Sequence, residues 1–298
     1  MISLSALARL AAAHPDDLEL PVAPLLIGDR VFDTDDRPVV MGTVNLSRDS
    51  TYRESVAIST TSAIRKARVQ AAQGADLVDV GAESSTARAA RVDPSDQIKA
   101  LVPVVEALAA DDILVSAESY APPVVRATLE AGASVINLTG SADDVDMFDL
   151  AAEFGATVLI CFVKGSNVRE ITSATVDNDP FPEMLEQFTR RLALARARGV
   201  ERIVIDPGMG FYYGNLTDPL TRARHQGMVI LNTFRLRRLG VPICHAMPHA
   251  FDLFEDEFRT AESFFAVLAS LGGTGVFRTH EVPRVAAVLT AMRELQVG

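Results

Sequence analysis

Cysteine is scarce in this chain. Among 298 residues there are two, Cys161 and Cys244, each inside an apolar run. Two thiols so placed give no disulfide framework and point to a reducing cytoplasm. No C-x-x-C or H-E-x-x-H pattern occurs, so the zinc motifs most readable from sequence are missing. Positive charge is also in short supply: 28 Lys and Arg stand against 39 Asp and Glu, a formal net charge of −11. That balance argues against nucleic acid or an anionic membrane surface as the main partner, since both select basic patches. It leaves room for a small anion held by a few local arginines. No apolar run approaches the ~18 residues that suggest a membrane span. The opening MISLSALARLAAAHPDD lacks the basic start and long apolar stretch of a signal peptide and reads as a short amphipathic helix. Linker-like and low-complexity stretches are missing too, as is the Gly-x-Gly-x-x-Gly that a dinucleotide-binding sheet places after its first strand.

What is present is alternation. After a hairpin-like LLIGDRVFDTDDRP, short β-branched runs recur at PVVMGTVN, ADLVDVG, DILVSAE, SVINLTG, ATVLICFV, RIVIDPG, VPICHAM and TGVFRTH. Helix-length segments separate them; MLEQFTRRLALARARG, for example, closes on a basic turn and a glycine. Eight βα units in a chain of this length predict an α/β fold, a (β/α)8 TIM barrel. The expected organisation is a single domain, with a helix and hairpin over residues 1–37 capping a barrel over 38–298.

In such a barrel the active site lies at the C-terminal ends of the strands. Asn45, Asp79 with Glu83, Glu118, Asn137, Lys164, Asp206, His245 with His249, and Arg278 with His280 follow the eight runs in order. Turn chemistry accounts for any one of them alone. Together they outline a cup, for which two chemical halves are expected. Glu118, Asn137 and Asp206 suit a flat heterocycle with several N–H donors and a carbonyl. Asn45, Arg278 and His280 suit a phosphate-like anion with Mg²⁺.

MGTVNLSRDS (41–50), GADLVDVGAESS (74–85), LEAGASVINLTG (129–140), RIVIDPGMGF (202–211) and FRTHEV (277–282) come in this order. Over residues 25–296 the chain thereby resembles dihydropteroate synthases, the pterin-binding barrels of folate biosynthesis. The resemblance implies condensation of a dihydropterin diphosphate with p-aminobenzoate, with Mg²⁺ and cationic groups easing diphosphate departure. By position it implies Asn45 at the metal and diphosphate, and Arg278 and His280 on the diphosphate. It likewise implies Asn137 and Asp206 on the pterin edge. Phe211, Tyr212 and Tyr213, read on their own, are aromatics near a strand end that suit either stacking on a ring or packing. The resemblance also implies a homodimer built from the last helices, where AESFFAVLASLGG is unusually apolar.

The departures are informative. The family's aspartate after the third strand is Glu118 here, the aspartate after Asn137 is Leu138, and the threonine–arginine pair of the second loop is Ser85-Thr86. Arg88 or Arg91 is the available replacement for that arginine. After the seventh strand, Pro248, His249 and Ala250 stand in place of serine, arginine and lysine. His245 and His249 are then the candidates for contacting diphosphate or the acceptor. Three readings follow: a transferase of this type, weakened or turned to another acceptor; a non-catalytic pterin-binding paralogue with a regulatory or carrier role; or a folate-dependent methyltransferase.

Overall fold

The computed structural model describes residues 2–47, 49, 52–85, 89–170, 179–211 and 215–295. The first helix, α1 (Leu4–Ala13), starts where the Ser3 hydroxyl accepts the Ala6 N–H at 3.2 Å, and it buries no residue. An antiparallel hairpin follows, β1 (Leu25–Ile27) and β2 (Arg30–Phe32). The barrel strands are β3 (Val39–Asn45), β4 (Leu77–Gly81), β5 (Leu114–Ser119), β6 (Val135–Leu138), β7 (Thr157–Cys161), β8 (Ile203–Asp206), β9 (Cys244–Ala246) and β10 (Val276–Thr279). Helices α2 (Thr60–Ala72), α3 (Pro94–Ala110), α4 (Pro122–Glu130), α5 (Asp144–Phe154), α6 (Phe181–Ala197), α7 (Pro219–Leu231), the single turn α8 (Phe251–Phe254), α9 (Ala261–Leu271) and α10 (Val282–Glu294) lie between and after them.

All eight barrel strands are parallel, in the order β8-β7-β6-β5-β4-β3-β10-β9. The ring closes between β8 and β9 through one bridge, Ile205 to Ile243, and one hydrogen bond, Ile205 N–H to the Pro242 carbonyl at 3.1 Å. The expected (β/α)8 barrel is the observed one. Its strands are buried on both faces, which is why they read as nearly continuous apolar runs rather than alternating ones. Local chemistry starts the helices: Ser59 and Ser62 form a reciprocal cap on α2, and Asp93 and Asp218 cap α3 and α7 just before a proline.

The hairpin closes the N-terminal end of the barrel, opposite the mouth. Leu25 and Ile27 are buried, the Leu26 carbonyl accepts from the Thr157 hydroxyl at the foot of β7, and the Gly28 carbonyl accepts from Arg202 just before β8. Among the described residues, no helix is long and apolar enough to cross a membrane.

On the outer layer, Arg191 of α6 is 2% exposed. Its guanidinium holds both oxygens of Asp144 at 2.8 and 2.6 Å and the carbonyls of Cys161 and Gly140 at 2.6 and 2.7 Å. It thus ties α5 and α6 to the ends of β6 and β7. Breaking a buried pair strands its partner's charge, at a cost of about 3–5 kcal/mol. Arg191→Ala should lower unfolding free energy by that amount in urea denaturation. Arg198→Ala, which breaks the exposed pair with Asp149, should leave the midpoint nearly unchanged. Equal losses in the two variants would refute this.

Candidate functional site

The C-terminal strand ends open on one cleft of about 720 Å³ measured out into solvent. Asn45, Glu118, Asn137, Asp206, Arg278 and His280 all line it, and so do Ser85, Phe211 and His249. The parallel register explains the convergence. Glu118 lies beside Gly81 on one side and Asn137 on the other, while Cys161 lies beside Asp206.

The floor corrects the expectation of two separate halves. Arg278 does not sit among cations; it lies within the acidic group. Its Nε donates to Asp79 Oδ2 at 2.8 Å and its Nη2 to Glu118 Oε2 at 2.7 Å. The reason is burial: a guanidinium with 16% of its side chain exposed needs carboxylates within reach. Burial works against its charge, yet Asp79 and Glu118 hold its pKa above the ordinary value. Asp79, fully buried, also accepts from the Ser116 hydroxyl at 2.6 Å and Asn137 Nδ2 at 3.1 Å. The amide orientation of Asn137 is thereby set, and its oxygen faces the Cys161 thiol at 3.5 Å. Burial raises Glu118 to about 7, against the pull of Arg278 and with further upward push from Asp79 and Asp206.

Asp206 shows why a carboxylate ends the sixth barrel strand on Pro-Gly-Met-Gly. Its Oδ1 accepts the Gly208 N–H at 2.6 Å, which curls the chain over the carboxylate. Gly208 has φ +80°, a conformation that favours glycine, and a β-carbon at Gly210 would lie 2.6 Å from that of Ala246. Burial raises Asp206 to about 6, although the Gly208 N–H, Arg278 and Cys244 all stabilise its charge.

The rim is built around Glu262, a wholly buried residue of α9. Its Oε1 faces His280 Nδ1 at 2.8 Å and His249 Nδ1 at 3.1 Å. Its Oε2 accepts the His280 N–H at 2.8 Å, the Glu281 N–H at 3.3 Å and the Thr279 hydroxyl. Burial pushes Glu262 up, but the two histidines hold it well below the usual carboxylate range. Burial lowers His280 despite Glu262. Tyr52 stacks on His280 with centroids 4.5 Å apart and lies 4.8 Å from the His249 ring. Its hydroxyl donates to Glu281 at 2.5 Å, and burial, then that bond, raises its pKa. Tyr52, Asp79 and Glu262 are residues that strand-end reasoning left without a role.

His245 is a correction. It does not line the cleft; Cys244 and Ala246 turn inward from β9, so the side chain between them faces the helical layer. There His245 Nε2 meets the Thr233 hydroxyl at 2.7 Å, and burial pushes its pKa down to about 3. Of the two loop histidines, His249 alone reaches the cleft. Arg88 and Thr86 fall outside the described residues, as do Tyr212 and Tyr213. Arg91 is exposed and 3.8 Å from Glu170, and Lys164 pairs with Glu183 at 2.6 Å. Neither borders the cleft. The second-loop cation is instead Arg169, buried beside Glu83 and bonded to the carbonyls of Ser84, Ala89 and Ala90. It holds that loop's backbone in place. No signal in the sequence marked it.

A hard dication fits one part of this wall. The Asn45 amide nitrogen donates to the Ser55 hydroxyl at 2.7 Å, and Asn45, Ser47 and Ser85 bring neutral oxygen atoms to the same cleft. Neutral oxygen donors suit Mg²⁺ that keeps most of its water.

Residues 41–280 match the family profile described as pterin binding enzyme. The chain is 30% identical over 272 residues to a probable bifunctional folylpolyglutamate synthase/dihydropteroate synthase of Halobacterium salinarum. That match takes in 86% of this chain but 31% of that protein, so the chain spans about a third of its length. It is 30% identical over 275 residues to the inactive dihydropteroate synthase 2 of Mycobacterium bovis, covering 88% and 84% of the two chains. In shape it is similar to the Xanthomonas albilineans dihydropteroate synthase solved with 4-aminobenzoic acid. The TM-score is 0.76 at 24% identity, over 92% of this chain and 100% of that one.

The raised Glu118 carboxyl has a measurable consequence. Its folded value of about 7 lies above the ordinary 4.5, so the folded chain keeps a proton that the unfolded chain releases earlier. Stability from this site is complete below pH 4.5 and is lost as pH rises through 7. Glu118→Gln removes that loss. Relative to the parent, the variant should gain up to about 3 kcal/mol between pH 4.5 and 8. Urea denaturation at both pH values measures it, and a parent–variant difference independent of pH would contradict the shifted carboxyl.

Proposed function

The chain belongs to the pterin binding enzymes, and from that premise we propose a dihydropteroate synthase-like transferase acting on a dihydropterin diphosphate. The observation that carries this reading is the floor of the cleft. Asp206, Glu118 and Asn137 offer two carboxylates and one amide to a flat ring edge, with Arg278 held beneath by Asp79 and Glu118. A carboxylate that accepts an exocyclic amino group and a ring N–H together selects an aminopyrimidine edge.

In the proposed reaction the exocyclic methylene carbon of the dihydropterin loses its bond to oxygen, and diphosphate leaves with the electron pair. The amine nitrogen of an arylamine such as p-aminobenzoate bonds to that carbon and then releases a proton. Diphosphate departure needs positive charge. Arg278 Nη1, which neither carboxylate uses, would supply it, and His280 at the same wall would add a neutral imidazole donor. Asn45 would hold Mg²⁺ through its oxygen, and a bound Mg²⁺ would neutralise charge on the diphosphate oxygens. Phe211 at the cleft edge gives the ring an apolar face, and Ser85 and His249 border the space an acceptor would take.

A second reading has its own support. Pro248-His249-Ala250 lacks the lysine that the resemblance implies, and Ala250 adopts φ 41° at the start of α8. A charge-assisted bond of that kind is worth about 1.5–3 kcal/mol, enough to slow turnover by one to two orders of magnitude. We therefore propose weak activity toward p-aminobenzoate, or a changed acceptor, with a non-catalytic pterin binder as the limiting case. The similarity to an inactive synthase of Mycobacterium bovis fits this. A cytoplasmic location fits the two free, buried cysteines. A homodimer is proposed through α9. There Phe264 is 42% exposed and packs 5.8 Å from Phe254, beside exposed Leu253 and Leu271.

Two outcomes are expected. Because burial pushes Asp206 up to about 6 and it accepts two N–H groups together only when ionised, affinity for 6-hydroxymethylpterin should be full above pH 7. Below pH 6 it should fall, approaching tenfold per unit. Isothermal titration from pH 5 to 8 measures this; Asp206→Asn should bind weakly at every pH. A flat profile in the parent protein would remove Asp206 from the pterin edge, and a product assay with p-aminobenzoate tests turnover. Light scattering of the parent should give a dimer mass at micromolar concentration and of Phe264→Glu a monomer mass. A parent monomer, or a variant that stays dimeric, would overturn the α9 interface.

A further inference from the structure

Glu262 is anchored more heavily than a helix residue needs to be for packing. Its Oε2 takes the Thr279 hydroxyl and the backbone N–H groups of His280 and Glu281. Its Oε1 takes nothing but two imidazole nitrogens, His280 Nδ1 at 2.8 Å and His249 Nδ1 at 3.1 Å. Neither lysine nor arginine pairs with this buried carboxylate among the described residues; its ion-pair partners are the two histidines. A buried charge is expensive unless a countercharge meets it.

The ligating atoms of His249, Glu262 and His280 lie within 4.8 Å of one another. Around a tetrahedral Zn²⁺ at 2.0–2.1 Å, neighbouring ligand atoms stand about 3.3 Å apart. The two nitrogen-to-oxygen separations, 2.8 and 3.1 Å, are within about half an ångström of that. We propose that His249, His280 and Glu262 bind a borderline transition-metal dication, Zn²⁺ or Co²⁺, through both Nδ1 atoms and Oε1.

Binding replaces the two shared protons with one ion and gives the buried carboxylate its countercharge. From the 4.8 Å within which the ligand atoms lie, the most distant pair closes by up to about 1.5 Å, a movement that the partly exposed His249 can make. The anchors on Oε2 already hold the carboxylate in place, as outer-shell partners of metal sites do. Both histidines line the cleft while Glu262 sits behind them. The ion therefore has three protein ligands on one side and open positions toward the cleft, the arrangement of sites that accept an exogenous ligand. Imidazole donors also separate this site from the all-oxygen surroundings of Asn45, which suit Mg²⁺. The proposal needs no pterin, and it engages the two histidines that the transferase reading sets beside the diphosphate and the acceptor.

The test is titration of the chelator-treated full chain with Zn²⁺ at pH 7.5, with Co²⁺ as the spectroscopic probe. One equivalent should bind, with a visible ligand-field band of a four- or five-coordinate Co²⁺. A hundredfold excess of Mg²⁺ should not displace it. His249→Ala, at the exposed edge, should weaken Zn²⁺ binding at least tenfold while its circular dichroism and melting stay those of a folded barrel. Glu262→Gln should weaken it further, provided that it folds. Absence of stoichiometric binding, loss of the ion to Mg²⁺, or unchanged affinity in His249→Ala would overturn the site.

Discussion

Arg278 reaches across the top of the barrel from β10 to the carboxylates of β4 and β5, and the cleft floor can be as acidic as it is because of that reach. Asp79, Glu118 and Asp206 gather where water is largely excluded, and that burial raises the Glu118 and Asp206 carboxyls. The guanidinium holds part of that charge and leaves the rest as raised carboxyl groups. Every ligand that enters meets this balance. A ring that brings N–H donors to Asp206 relieves it, whereas an anion has to compete with Glu118 for the same arginine. A single floor therefore couples recognition of a ring edge to recognition of an anion.

The rim is organised on a different principle. Glu262 and Glu281, both buried acids, collect the side chains that surround the entrance: two histidines and a threonine on the first, and Tyr52, Arg259 and Arg284 on the second. Tyr52 bridges them by stacking on His280 while donating to Glu281. Loop residues at this end are thus held by groups that arise from a helix and from the strand-to-helix turn after β10. That is how the loop after β9 keeps His249 at the cleft despite two non-glycine residues with positive φ, Ala250 and Glu255.

Much of this was legible in the sequence, for physical reasons. Parallel strands buried on both faces leave continuous apolar runs, and the eight runs gave all eight barrel strands. Asp206 was readable because a carboxylate followed by Pro-Gly-x-Gly is both a turn and a close approach. Asn45, Glu118, Asn137 and His280 were readable because each closes a strand. Glu262 was not, since it sits in the first turn of an apolar helix, AESFFAVLASL, where an acid reads as dipole compensation or a solvated position. His245 misled for the opposite reason: a strand-end position says nothing about which face a residue takes when the run is buried on both sides. The charge map failed on Arg278 because sequence order carries no information on pairing across the barrel.

The hairpin at the foot of the barrel bears on the order in which the chain can be made. Leu26 and Gly28 are made before any barrel strand, yet their carbonyls wait for Thr157, 131 positions later, and Arg202, 174 positions later. Thr34 lies against Gly275, which appears later still. During synthesis the apolar side of β1 has nothing to cover until most strands have left the ribosome. The segment made before the barrel strands is thus among the last to be seated, and its Leu25 and Ile27 stay uncovered until then.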